Sequence, residues 1–208
     1  MKHLPIRARH ALVLLAAVVL AGCSVTRPAP VKGTFLLDPA APAAVAKPQP
    51  SSVRVGTVNV AAPFRGKNFV SREGELRYEA DFYNEFLVPP ATMIGEITSR
   101  GLERAKAFTL VAPVNSATRT DWLLDGFVSS LFVDAREQGR MYAEVAVSYY
   151  LFRADAGTAM PVWTRDYRQR VPLTASTAQA YAAALNTAFA QILADLACDL
   201  AAAELPKA

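Results

Sequence analysis

Histidine is missing from most of this chain: the two that occur, His3 and His10, lie within the first ten residues. Ser-His-Asp and Cys-His nucleophiles, and the usual imidazole metal ligands, are therefore excluded from everything downstream. Sulfur is almost as scarce. Cys23 and Cys198 are the two cysteines, no C-x-x-C occurs, and no G-x-x-x-x-G-K-[ST] phosphate loop is present, which excludes ATP hydrolysis by that route. A surplus of one charge is lacking too. Three of the 22 Lys and Arg (Lys2, Arg7 and Arg9) stand at the extreme N-terminus, leaving 19 to face 18 Asp and Glu. Without a basic patch, nothing argues for a nucleic-acid partner. No pattern of side chains calls for a cofactor or a metal. The last absence is a bilayer-length apolar run: "ALVLLAAVVLAG" is about 12 residues, roughly 18 Å as helix against a hydrocarbon core of about 30 Å.

That short run has a different use. It follows the basic "MKHLPIRARH" and ends in small residues, the three-part layout of a secretory signal. Leu20-Ala21-Gly22-Cys23 resembles the bacterial lipoprotein processing signal. The resemblance implies a signal peptide at 1–22, a diacylglyceryl group on the Cys23 thiol, and a further acyl chain on the amine freed by cleavage. Ser24, where Asp would signal retention, implies sorting to the outer membrane with the domain facing the periplasm. The alternative is an ordinary signal peptide followed by an incidental cysteine. With Cys23 acylated, Cys198 has no partner for a disulfide.

The mature chain divides into a lipidated, Pro/Ala-rich tether at 23–52 and one folded domain at 53–205. The tether composition cannot bury enough apolar surface to offset its ordering entropy. Fully extended, its 29 residues after Cys23 would reach roughly 90 Å. "TFLL" inside it reads as a short edge strand. From Val53, "VRVGTVNV" alternates with a slip at Gly56-Thr57, the mark of a bulged strand. "GELRYEADFY" puts Leu76, Tyr78, Ala80 and Phe82 on one side. "DWLLDGFVSSLFVD", "RMYAEVAVSYYLFR" and "PVWTRDYRQRVPL" read as an antiparallel meander. Helices are expected from about Pro90 to Lys106, with Gly101 on the inner face against a sheet, and from Thr177 to Ala203, opened by a Ser176/Gln179 capping box. The fold class is α+β: an antiparallel or mixed sheet with a long meander, packed against two helices in a single domain.

Few residues could carry chemistry. Asp121, Asp125, Asp134 and Glu144 could form a carboxylate acid/base pair, but they also suit solvent faces and strand ends. Trp122 and Trp163 could form a stacking platform, yet each opens an apolar strand, which favours core or rim positions. In "SYYLFR", Tyr149 and Leu151 fall on one face and Tyr150 and Phe152 on the other, implying a strand covered on both sides. Opposite the Tyr181–Leu200 stripe of the last helix lie Ala183, Ala190, Ala194, Ala197, Cys198 and Ala201. That nearly uncharged back is a candidate interface, for a second copy or another protein. An alanine-rich helix also needs no partner to carry such a face.

The order of lipobox, tether, "TFLLD", "VRVGTVNVAAPFRGKNFVSREGELRYEADFYNEFLVPPATMIGEITSRGLERAKAFTLV", meander and final helix resembles the ABC-type transport auxiliary lipoproteins. The most telling part is "VNVAAPFRGKNFVSREGELRYEADFYNEF", in which this chain has Phe82 where members often carry Trp. The resemblance implies an accessory component of an MCE-type lipid transport system, a non-enzymatic adapter or cap. The ATPase, the permease and the substrate-binding MCE chain would be separate polypeptides. Beside Ala190, Ala194 and Cys198 on the back of the last helix, Phe82 and Phe86, in the stretch from Phe82 to Pro90, are the alternative interface candidates. Two other functions remain open: a lipid-binding periplasmic lipoprotein, and an assembly lipoprotein for an outer-membrane complex.

Overall fold

The meander contains the two longest strands of the fold. In the computed structural model, which describes residues 31–155 and 160–206, β-branched and aromatic runs make three long strands. With the earlier ones these are β1 (Gly33–Phe35), β2 (Gln49–Val60), β3 (Asn68–Arg72), β4 (Tyr78–Phe86), β5 (Phe108–Ala112), β6 (Trp122–Glu137), β7 (Arg140–Arg153) and β8 (Trp163–Pro172). β6 and β7 pair antiparallel from Trp122↔Arg153 to Glu137↔Arg140, and Gly139 in the turn takes φ +77°, where a side chain is disfavoured. β8 extends the antiparallel order beyond β7.

The other edge of β6 is divided between two strands. β2 runs parallel to its first half, Val53↔Trp122 through Val60↔Val128, and β3 parallel to its second at Ser71↔Val133. β5 lies parallel outside β2; β4 is antiparallel outside β3, and β1 is parallel on its edge. The expected bulge is present between Val55 and Val58, and the Asp125 carboxylate accepts the Thr57 N–H there at 2.8 Å. Leu76 is not part of β4. It sits in the preceding turn, 93% exposed; on β4 Tyr78 is 42% exposed at the edge of a cluster with Phe64 and Phe132, and Phe82 is 68% exposed.

Helices α1 (Pro90–Arg104) and α2 (Ala178–Ala202) cover one sheet face. Val53, Val55, Val58 and Val60 lie on that face, with Trp122, Leu124, Val128, Val145, Val147, Tyr149 and Leu151 on neighbouring strands, all buried. Gly101 meets α2, not the sheet: a Cβ there would lie 3.0–3.3 Å from the Leu193 side chain, so its absence sets the helix–helix approach. α2 is capped one residue later than expected. The Thr177 hydroxyl, not Ser176, accepts the Ala180 N–H at 3.1 Å, because Thr177 holds the extended backbone of an N-cap. On the opposite sheet face, among the described residues, the one helical piece is the short 3-10 turn Ala62–Phe64, whose Phe64 stacks on Phe132. Tyr150 and Phe152 are accordingly half-buried, not covered as the alternation suggested.

The expected tether boundary moves most. Cys23 and residues 24–30 lie outside the described residues, as does the signal at 1–22, but folded structure starts at Gly33. β1 pairs with Asn84–Phe86, as the "TFLL" reading anticipated. Leu37 is fully buried, and Pro39 to Pro42 line a crevice between α1 and α2 with Ile97 and Leu193. The Asp38 N–H donates to Asn186 Oδ1 at 2.8 Å and the Val45 N–H to the Ala105 carbonyl at 2.8 Å. Gln49, already in β2, sends its side-chain amide to the Leu200, Ala201 and Ala203 carbonyls at 2.9, 3.2 and 2.7 Å. It thus satisfies carbonyls that the end of α2 leaves without intrahelical partners. Residues 33–52 are a strap across the helices. Their low apolar content is offset by hydrogen bonds to distant parts of the chain and by Leu37.

Candidate functional site

Candidate functional residues fall in four places: the charged open face of the sheet, a groove beside the start of α2, the exposed back of α2, and the β1–β4 corner. The open face gathers two of the four carboxylate candidates. Phe132 pairs with Glu144, and Asp134 with Tyr142, so Asp134 and Glu144 are diagonal neighbours on β6 and β7. Both are buried, 4% and 2% exposed. Arg136 grips Asp134 with two bonds of 2.8 Å, and Arg170 reaches it at 3.4 Å. Arg168 Nε donates to Glu144 at 2.5 Å, while Arg170 also stands 3.8 Å from Glu144 and stacks over the Tyr142 ring at 3.5 Å.

This arrangement opposes acid/base work. The hydrogen bond from Arg136 holds Asp134 down to about pKa 2, against the desolvation of its site, so it stays anionic at neutral pH. A general acid needs a carboxyl raised toward neutrality, and a pair that shares a proton needs like charges facing each other without arginines between them. Asp121 and Asp125 lie elsewhere, Asp125 about 30 Å along β6 from Asp134. Asp121 accepts the Ser52 N–H and hydroxyl, each at 2.7 Å, and the hydroxyl bond is the chief cause of its lowered pKa. Each of the four carboxylates fastens its own stretch of sheet. The arginines were legible, since Arg168 and Arg170 share one face of a strand predicted to lie beside Glu144.

Acid titration gives the check. Asp134's pKa is lower in the folded chain than its ordinary value of 3.8, so the stability it contributes is present above pH 4 and lost as pH falls toward 2. With the arginines partly exposed, Asp134→Asn is expected to cost at most about 2 kcal/mol at neutral pH. It should also flatten the stability curve between about pH 4 and pH 2, measured by chemical denaturation across that range.

Trp122 is buried and donates its indole N–H to Ser51 Oγ at 3.0 Å, and Trp163 is half-buried at the β8 edge, so the two form no stacking platform. Tyr149, on the helix side, shares a 2.8 Å hydrogen bond with Thr98 of α1, and burial raises its pKa to about 12.

The groove, about 390 Å³, opens between the start of α2 and strands β3 and β4. Its floor includes Phe69, Val70, Met141 and Leu173, and Glu73, Glu79 and Asp81 are on its walls. Tyr181 lines it too, with a buried hydroxyl that has no hydrogen-bond partner. On the back of α2, Ala190 and Ala194 are half-buried and Cys198 is exposed. Ala197 leaves that set, being 1% exposed, and Thr187, Gln191 and Asp195 give the face more polarity than the alanines alone suggested.

Phe86 is withdrawn as an interface candidate. It is 2% exposed and packs edge-on against Phe69, because its register with Phe35 turns it into the core. Phe82 stays outside, 68% exposed. The two phenylalanines part because β4 bulges between them: Val70↔Ala80 gives way to Asn68↔Glu85, so residues 81–84 loop outward opposite a single residue of β3.

Among the described residues no group of His, Cys, Asp and Glu could hold a metal ion, and no helix is long and apolar enough to cross a membrane. The sequence profile of one family, the ABC-type transport auxiliary lipoprotein component, matches residues 35–197. No curated protein sequence matches the chain. Among solved structures, the chain is similar to protein XCC0632 from Xanthomonas campestris, with a TM-score of 0.70 at 18% identity over 81% of this chain and 94% of that one. It is also similar to an uncharacterized protein, with a TM-score of 0.64 at 13% identity over 82% and 99%. At these identities the likeness extends to the fold.

Proposed function

The chain belongs to the ABC-type transport auxiliary lipoprotein family, and we propose on that footing that it is an outer-membrane-anchored periplasmic accessory of an MCE-type lipid transport system. It works by contact, as adapter or cap, and without catalysis. The carrying observation is the match over residues 35–197 in a chain whose lipobox cysteine stands ten positions before the first strand. The fixed ionisation of Asp134 and the separate structural tasks of the other carboxylates support a non-catalytic role. Cys23 is the lipidation site, and the half-buried alanines of α2 with Cys198 beside them form the contact for the MCE-type substrate-binding chain, or for a second copy of this one.

Ala194→Glu tests the contact. A charge there costs a half-exposed helix little but is expensive when sealed without a partner. The variant should melt like the wild type and lose the MCE chain in a pull-down, or self-association in sedimentation. If both associations persist unchanged, this face is not the contact.

The groove favours one second reading, a lipid-binding lipoprotein. An apolar floor of this size suits part of an acyl chain, and the Tyr181 hydroxyl is available to an ester or headgroup oxygen. If the hydroxyl is merely buried, Tyr181→Phe should stabilise the domain by about 1 kcal/mol, since the variant no longer carries an unsatisfied group. A denaturation midpoint that falls instead, together with bound lipid lost from native mass spectra, would favour this reading.

A further inference from the structure

We infer that the β1–β4 corner is a membrane contact, a face that the lipid anchor holds against the bilayer surface. The inference rests on the anchored reading of Cys23. Since the fold begins at Gly33, only residues 24–32 separate the acylated cysteine from the first strand. Nine residues span at most about 30 Å even when fully extended. A domain of this size is about 40 Å across. The leash is shorter than the body it holds, and it is rooted at this corner, so this corner is kept nearest the lipid.

The corner has the surface for it. Phe82 is 68%, Leu36 56%, Leu87 53% and Tyr83 44% exposed, and Val31, on the leash itself, 90%. Phe82 and Tyr83 contact edge-to-face with ring centroids 5.2 Å apart, and the Lys32 ammonium stands 4.8 Å over the Phe82 ring. Leu36 and Leu87 follow the Phe35↔Phe86 pair in register, on the opposite side from those core residues. Rings and a cation at one end, with two leucines about 13 Å away along the strand, match the mixed chemistry of a headgroup region.

The shape is fixed in advance. The Asp81 carboxylate accepts the Tyr83 N–H at 2.7 Å, the Asn84 N–H at 3.1 Å and the Asn84 side-chain amide at 2.7 Å, so the bulge that presents the rings is tied at its base. Because the anchor already confines the domain, the corner need supply only the weak additional attraction that orients it.

The lipidated protein, reconstituted in phosphatidylethanolamine/phosphatidylglycerol vesicles with nitroxide-headgroup lipid, provides the test. An environment-sensitive dye is placed either on native Cys198 or, in a Cys198→Ser background, on Thr34→Cys. Cys198 lies about 25 Å along α2 from Tyr181, the residue that touches Phe69 behind the corner. Quenching should be several-fold stronger at position 34 than at 198. Phe82→Ser with Leu87→Ser should bring it down to the level at 198 with the melting curve unchanged, both side chains being exposed. Equal quenching at the two positions, or quenching at 34 that ignores the double substitution, overturns the contact; so does a corner shielded from lipid by a second copy. Intact mass at Cys23 separates the causes. Acylated protein without corner quenching refutes this inference alone, whereas unacylated protein refutes the anchored reading with it.

Discussion

Replacing Cys23 with alanine is expected to abolish palmitate labelling and outer-membrane fractionation outright, while the domain melts as in wild type. The two halves of that result have separate causes. Each buried methylene of an acyl chain contributes about 0.8 kcal/mol, and a single chain gives only marginal, reversible binding, so on the lipoprotein reading retention depends on two or three chains attached to one cysteine. Among the described residues no helix is long and apolar enough to cross a membrane. The fold is indifferent to the change, since the first strand starts ten residues later and the core is drawn from Leu37 onward. Labelling with radioactive palmitate, membrane fractionation and circular dichroism on the same preparations measure both halves. A variant that still labels and still fractionates with the outer membrane contradicts the lipoprotein reading.

The largest stability effect is expected from the strap. Leu37→Ala should cost about 3 kcal/mol, in the range for a fully buried leucine whose site cannot collapse. Its side chain is fully buried among core residues and its N–H lies 3.5 Å from Met93 Sδ, at the point where the strap passes over α1. The neighbouring Leu36→Ala is the internal control. Leu36 is 56% exposed, and substitutions at such positions usually stay within about 0.5 kcal/mol. Urea denaturation of both variants tells strap from tether: a tether predicts two small effects, a strap one large and one small.

That contrast also marks where the sequence could be read and where it could not. Period-2 alternation placed the meander and the bulge at Gly56-Thr57, and apolar stripes at helical spacing placed both helices, because each of those segments announces its buried face through several residues in step. The strap has one core leucine, three segments of contact and no period, so its proline- and alanine-rich composition reads as unfolded chain. Its order comes from partners far along the chain: Asn186 for Asp38, Ala105 for Val45, and the end of α2 for Gln49. Such contacts are invisible to a local window.

The candidate site divides in the same way. The Leu20–Cys23 tetrapeptide is local and complete in four residues, and its reading as a lipobox rests on the sequence alone. Phe82 and Phe86, four apart, looked equivalent, but the bulge over 81–84 turns one outward and leaves the other against Phe69. Asp134 and Glu144 were recognised as carboxylates on strands. Their neutralisation by Arg136, Arg168 and Arg170 depends on register across three strands, which alternation suggests and pairing decides. On the α2 back Ala190 and Ala194 are half-buried, but Ala197 belongs to the packed side with Leu193 and Leu200, 1% exposed.

The most direct measurement is to isolate the tagged, lipidated protein from native membranes in mild detergent and quantify what accompanies it. Wild type, Ala194→Glu and Asp134→Asn are compared at equal expression. An accessory that works by contact and without catalysis predicts an MCE-type substrate-binding chain enriched with wild type and with Asp134→Asn, which should also restore function to a deletion strain. The same chain should be depleted with Ala194→Glu. An MCE chain absent from the wild-type isolate, or a folded Asp134→Asn that keeps its partner yet fails to complement, would contradict the account.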